Sequence, residues 1–180
     1  AYSTISQLSY VVLGVFILAP LSLAGAALHI VAHAFGKITL FFAAGSIYTA
    51  AHKTEISQLN GIGWRMPWTM TAFSIGALSM IGIPPLAGFL SKWYLLLGAW
   101  QTEHLFAMVV ITISTLLNTA YFVPIIYAAW FKPAPAGMSH GEAPLAIVIS
   151  LSITALLTLT LFMWTELPLQ LIAAIPGVTL

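Results

Sequence analysis

The sequence predicts an all-α transmembrane protein of about five membrane-spanning helices, the third of them broken at Pro84-Pro85. Three observations carry that reading. Of the 180 residues, 61% are hydrophobic and 5% charged, whereas a soluble domain carries about 25% charged residues. Five apolar segments reach the roughly 20 residues that cross a ~30 Å hydrocarbon layer. The longest of them is interrupted by "GIPPLAG".

The first apolar segment covers residues 5–23 and the second 25–51. The third covers 67–100, too long for one straight crossing at ~1.5 Å per residue. The fourth covers 104–131 and the last about 144–164, followed by a short tail, "TELPLQLIAAIPGVTL", expected along the membrane interface. Residues 1–131 are read as one channel-type unit. Residues 132–180 are read as a cytoplasmic loop, a last transmembrane helix and the tail. Trp64, Trp68, Trp100, Trp130 and Trp164 fall at expected helix ends, where an aromatic belt sits.

Charge gives an orientation. Lys53 and Arg65 lie in the loop 52–66, and Lys132 in the loop 132–143. With alternating helices these loops share a side, while the other side holds Glu103 and Glu166 and no Lys or Arg. The positive-inside rule then makes both loops cytoplasmic. The net charge of +1 suggests no nucleic-acid partner, and the absence of cysteine excludes disulfides and thiolate sites. The chain opens on "AYSTISQLSY", without Met or a basic n-region, so no signal peptide is expected. It reads as part of a longer protein or one piece of a split subunit.

Four titratable residues fall inside the apolar segments: His29, His33, Lys37 and Lys92. A charge at the bilayer centre costs about 2.5–3.5 kcal/mol or more. With every Glu in a loop or at a helix end, neither lysine has a resident counter-ion. Each must face a wet interior, meet a carboxylate from elsewhere, or give up its proton. The last is what a proton carrier does. A structural lysine would instead sit near a helix end and snorkel.

His29, His33 and Lys37 recur at every fourth position, on one helix face, over roughly 12 Å. Imidazole titrates nearest to physiological pH and exchanges protons at either ring nitrogen. The file therefore reads as a proton relay with intervening water, against the plainer reading of two histidines that tie helices together. A metal site is not expected. Zinc or copper would need Cys, Asp or Glu beside the histidines, and Lys37 would repel the cation. No cofactor is expected either. A self-contained enzyme lacks any nucleophile–base pair, metal cage or phosphate loop.

The segment "SMIGIPPLAGFLSKW" adds the break. Pro84 and Pro85 have no N–H, so the carbonyls of Met80 and Ile81 lose their helical partners. Such backbone is tolerated in a membrane only inside protein or beside water. Gly82 and Gly88 permit the non-helical dihedrals and close packing of a break. Broken helices mark ion sites in transporters, and Lys92 follows this one by about two turns, where a wet cavity is expected. Asn118 and Tyr121 are weaker candidates, equally suited to packing.

The stretches "AYSTISQLSY", "HIVAHAFGKITLFFAAG" and "MPWTMTAFSIGALSMIGIPPLAGFLSKW" resemble the proton-conducting antiporter-like family. It includes the antiporter-type subunits of respiratory complex I and the D-type subunit of Mrp cation/proton antiporters. The resemblance lies in the H-x-x-x-H-x-x-x-K file followed by G-I-P-P-x-A-G-F-x-S-K, and it covers residues 1–131 well. "MPWTMTAFSIGAL" and "GFLSKW" lean towards the D-type Mrp subunit or a related hydrogenase-type subunit.

The resemblance implies an inverted-repeat fold of about fourteen helices, each half with a broken helix, of which this chain matches the last five. It implies that Lys37 is the central lysine of the second half-channel, with His29 and His33 as relay partners. Lys92 is then the broken-helix proton-transfer residue; some complex I members carry Glu there. The first repeat's Glu and Lys have no counterpart in this chain. Implied partners are the other membrane subunits of a multisubunit complex, the preceding helices of the same fold, the bilayer, and protons, with Na+ left open. The alternative is a structural membrane module of such a complex without transport of its own.

Overall fold

The computed structural model describes residues 2–134 and 141–174. All regular structure among them is helical: α1 (Tyr2–Ile17), α2 (Pro20–Ala51), α3 (Pro67–Ile81), α4 (Ala87–Gln101), α5 (Leu105–Phe131), α6 (Leu145–Met163) and α7 (Glu166–Ala173). By length and composition α2, α5 and α6 can each cross a membrane. The helices α3 and α4 are 15 residues each and follow one another across the Pro84–Pro85 break. The predicted fold class stands.

The first boundary differs from expectation. The segment 5–23 does not run through; α1 stops at Ile17 and α2 begins at Pro20 rather than residue 25. Pro20 is the cause. Proline has no N–H to donate and forces the residue before it out of the helical region. Ala19 accordingly sits at φ −81° and ψ 145°, and Leu18 at φ 58°. Ser22 stitches the corner: its hydroxyl accepts from the Ala19 N–H at 3.1 Å and lies 2.8 Å from the Gly14 carbonyl.

The long α2 is the central element, touching α1, α3, α4, α6 and α7. Its buried stripe is rich in small residues, including Ala24, Gly25, Ala26, Ala32, Gly36 and Ala43. Small residues let membrane helices approach closely. At Gly25 a Cβ would lie 2.6 Å from the Leu95 nitrogen, so α2 and α4 are in backbone contact there. The outward faces of α1, α5 and α6 are apolar and exposed, with Phe16, Leu116, Leu117 and Ile153 among them.

The two basic loops meet at one end. The Gly61 N–H donates to the Ala128 carbonyl at 3.0 Å, and Trp64 Nε1 donates to the Trp130 carbonyl at 2.9 Å. Glu142 reaches across to the start of α3, accepting from the Trp68 N–H at 2.8 Å and the Thr69 hydroxyl at 2.6 Å. A carboxylate there satisfies otherwise unpaired N–H groups and complements the helix dipole. Residues 135–140 of the expected loop, His140 included, and the tail beyond residue 174 lie outside the described residues. The described part of the tail forms α7, whose Leu169 packs against Ala24 and Leu28.

Candidate functional site

The break between α3 and α4 builds the first half of the site. Gly82 ends α3 in the left-handed region at φ 94°, its N–H donating to the Leu78 carbonyl at 2.9 Å. The chain turns through Pro84 and Pro85 and starts again at Ala87. Gly88 lies so close to α3 that a Cβ would be 1.8 Å from the Ser79 carbonyl oxygen. The Gly88 N–H donates to the Ser79 hydroxyl at 3.2 Å.

This close return lets Lys92 reach back to the break. Its Nζ donates to the Met80 carbonyl at 3.1 Å and the Ile81 carbonyl at 2.8 Å, the two that Pro84 and Pro85 leave free. Its third side faces the Tyr10 ring, 4.9 Å from the centroid, a cation–π arrangement. The lysine stem passes over Gly82, where a Cβ would stand 3.0 Å from Lys92 Cδ. Lys92 is 5% exposed. At this point two carbonyl oxygens and an aromatic face surround the ammonium group.

His29 sits beside Lys92 and is also buried. Its Nδ1 lies 2.8 Å from the Ser91 Oγ, and its Nε2 lies 3.1 Å from the Gln7 Oε1. The Gln7 amide nitrogen points to the same Met80 carbonyl that Lys92 caps, at 3.5 Å. The Tyr10 ring packs on His29 with centroids 5.2 Å apart. Three helices therefore hold one polar cluster: α1 brings Gln7 and Tyr10, α2 brings His29, and α4 brings Ser91 and Lys92.

His33 stacks on His29, the rings 6.3 Å apart and inclined by 7°. Its Nε2 is buried without a hydrogen-bond partner among the described residues. Lys37, one turn further, is half-buried, with Nζ 5.6 Å from the centroid of the Phe41 ring. It lines a cavity of about 230 Å³ together with Ser3, Tyr121 and Phe122. The two lysines thus occupy opposite environments: Lys92 is sealed and Lys37 opens on a cavity.

Of the weaker candidates, Asn118 is 1% exposed and Tyr121 half-exposed. The Tyr121 hydroxyl donates to the Asn118 Oδ1 at 2.6 Å and lies 3.2 Å from the Ser3 Oγ. The Asn118 Nδ2 and the Tyr10 hydroxyl are both buried without a partner at hydrogen-bonding geometry among the described residues. The Tyr10 hydroxyl faces Asn118, and Asn118 meets Tyr121 at the cavity of Lys37, so a polar lane lies between the Lys92 cluster and that cavity.

Sequence reasoning missed Gln7, Tyr10 and Ser91. The polar residues of α1, Ser3, Thr4, Ser6, Gln7 and Ser9, fall all round the helix, so no periodic stripe reveals which face is inward. The available signal was the spacing of Gln7 and Tyr10, three apart and so on one face of α1. Among the described residues no group of three His, Cys, Asp or Glu gathers as a metal site.

The comparisons with known proteins agree with the fold. The model of the transmembrane family "NADH:quinone oxidoreductase/Mrp antiporter" matches residues 1–118. The chain belongs to this family. NADH-quinone oxidoreductase subunit N of Desulforudis audaxviator is 42% identical over 144 residues, 80% of this chain and 29% of that protein. The D-type subunit of the Na(+)/H(+) antiporter of Alkalihalophilus pseudofirmus is 33% identical over 162 residues, 87% of this chain and 33% of that protein. In the solved Mrp complex from Dietzia sp. DQ12-45-1b, one chain superposes with a TM-score of 0.84 at 22% identity, covering 96% of this chain and 40% of that one. That likeness shows the antiporter-like fold. The chain spans about a third of the length of the curated relatives it matches.

Proposed function

We propose that this chain carries the second half-channel of a proton-translocating, antiporter-like membrane subunit of the Mrp or NADH:quinone oxidoreductase type. Protons pass between the sealed Lys92–His29 cluster and the Lys37 cavity, by way of His33 and intervening water. The partners are the preceding helices of the same fold and the other membrane subunits of a multisubunit complex. Loops 52–66 and 132–143 face the cytoplasm of a prokaryotic or equivalent energy-transducing membrane.

One observation carries this reading. Lys92 is buried against neutral oxygens and an aromatic ring, with no carboxylate bonded to it among the described residues. An amine held this way is not neutralised by an ion pair, so its proton can be given up without leaving a buried carboxylate behind. His29, His33 and Lys37 continue from it along α2 to the open cavity. The deciding measurement is proton uptake in vesicles holding the full-length subunit within its complex. Lys37→Met is expected to abolish uptake while the complex still assembles. Uptake at the wild-type rate would overturn the proposal.

The second reading is a structural module in which Lys92 only caps the broken helix. The completeness of that cap favours it, since two carbonyls and a ring face occupy the amine. Under this reading both Lys37→Met and Lys92→Arg leave ion flux unchanged.

A further inference from the structure

We propose that Gln7 is a positioning residue, one that keeps the proton of neutral His29 on Nε2 and leaves Nδ1, opposite the Ser91 hydroxyl, as the atom that gains and loses a proton. The inference rests on the relay reading above for its purpose, though its geometry stands apart.

The donors and acceptors allow one assignment. The Met80 carbonyl can only accept, so the Gln7 amide nitrogen is the end that faces it, at 3.5 Å. The Gln7 Oε1 is then the end facing His29 Nε2 at 3.1 Å, and an amide oxygen can only accept. His29 Nε2 must donate, so it bears the proton in the neutral ring. Gln7 is fully buried, so its amide does not face bulk solvent.

The opposite side of the ring is ambivalent. Ser91 Oγ lies 2.8 Å from His29 Nδ1 and 3.0 Å from the Gly88 carbonyl oxygen. A hydroxyl has one proton and two lone pairs. When His29 is neutral, Ser91 donates to Nδ1. When His29 is an imidazolium, Nδ1–H donates to Ser91, whose own proton turns to the Gly88 carbonyl. Going from neutral ring to imidazolium adds one proton at Nδ1; no other covalent bond forms or breaks. The His29–Ser91 bond is kept in both states by one hydroxyl rotation; in the neutral state the Gly88 carbonyl gives up the hydroxyl proton.

The titratable groups that face His29 are Tyr10 from α1, Lys92 from α4 and His33 on α2. None of them touches Nε2 in place of Gln7, so the tautomer is set by the amide and not by a charge.

The test is solid-state nuclear magnetic resonance of the full-length subunit in its complex, labelled with 15N-histidine, with His29 assigned by loss of its signal in His29→Gln. Neutral His29 is expected as the Nε2–H tautomer in the unsubstituted protein. Gln7→Leu is expected to shift it to Nδ1–H, donating to Ser91, whereas Gln7→Glu restores the Nε2–H form. An Nδ1–H tautomer in the unsubstituted protein, or no shift in Gln7→Leu, overturns the inference. If Gln7→Leu does not fold, the tautomer of the unsubstituted protein still decides. The relay reading fails separately, through wild-type proton uptake by Lys37→Met.

Discussion

Lys92 Nζ donates to the carbonyl oxygen of Ile81 at 2.8 Å, and that oxygen is free because Pro85 has no N–H to offer it. One contact thus joins the break in the backbone to the buried amine. In hydrocarbon each alone would be costly. Together they satisfy one another, and the close approach at Gly88 brings them within reach.

Lys92→Met is therefore expected to act twice. It leaves the Ile81 carbonyl without its Lys92 donor and Met80 with the long Gln7 contact alone, at about 1–3 kcal/mol for a buried group left unsatisfied, so the thermal midpoint of the complex in detergent falls. It also stops proton uptake in vesicles. Lys92→Arg keeps donors at the break and recovers the midpoint. A methionine variant as stable as the unsubstituted protein would show that the capping contacts contribute nothing.

How far the sequence disclosed this site follows from where each signal lies. Pro84 and Pro85 announce two unpartnered carbonyls, and Lys92 announces an amine with no counter-ion. Both are local facts. Their pairing depends on α4 folding back along α3, which no local pattern records. The i, i+4, i+8 file is likewise local and is found on one helix. Gln7 meets Met80 across 73 positions, and Glu142 meets Trp68 across 74; neither contact leaves a trace in nearby spacing. Pro20 was a legible helix start, but the apolar run on both sides of it hid the corner.

Gly88→Ala is expected to force α3 and α4 apart. The added Cβ would meet the Ser79 carbonyl oxygen, a backbone atom that cannot swing away. Overpacking of this kind costs about 1–3 kcal/mol or more. The separation also draws Lys92 from its carbonyls, so uptake falls together with the thermal midpoint. Gly45→Ala, where nothing stands within 4 Å of the new Cβ, is the matched control and is expected to leave both unchanged.

Glu142→Ala is expected to loosen the junction of the two basic loops. The carboxylate holds the Trp68 N–H and the Thr69 hydroxyl, and loss of a capping side chain costs about 0.5–2 kcal/mol. Faster cleavage in loop 52–66 under limited proteolysis is the measurement. Glu142→Gln keeps an acceptor oxygen but not the charge, so its rate falls between the two. Equal rates in all three proteins would show that the cap does not hold this junction.

Lys37→Met separates transport from stability more cleanly than any change at the break. Among the described residues Lys37 caps no carbonyl; its Nζ lies 5.6 Å from the centroid of the Phe41 ring, and its side chain lines the 230 Å³ cavity. Methionine is similar in length and retains the apolar contact with Phe41. The thermal midpoint is expected to stay within the range of an ordinary surface substitution, about ±0.5 kcal/mol, while proton uptake is lost. That combination assigns Lys37 a role in conduction alone. A midpoint depressed as far as that of Lys92→Met would instead make the amine a packing element, and the polar lane through Tyr10 and Asn118 would then be the better candidate for the path out of the Lys92 cluster.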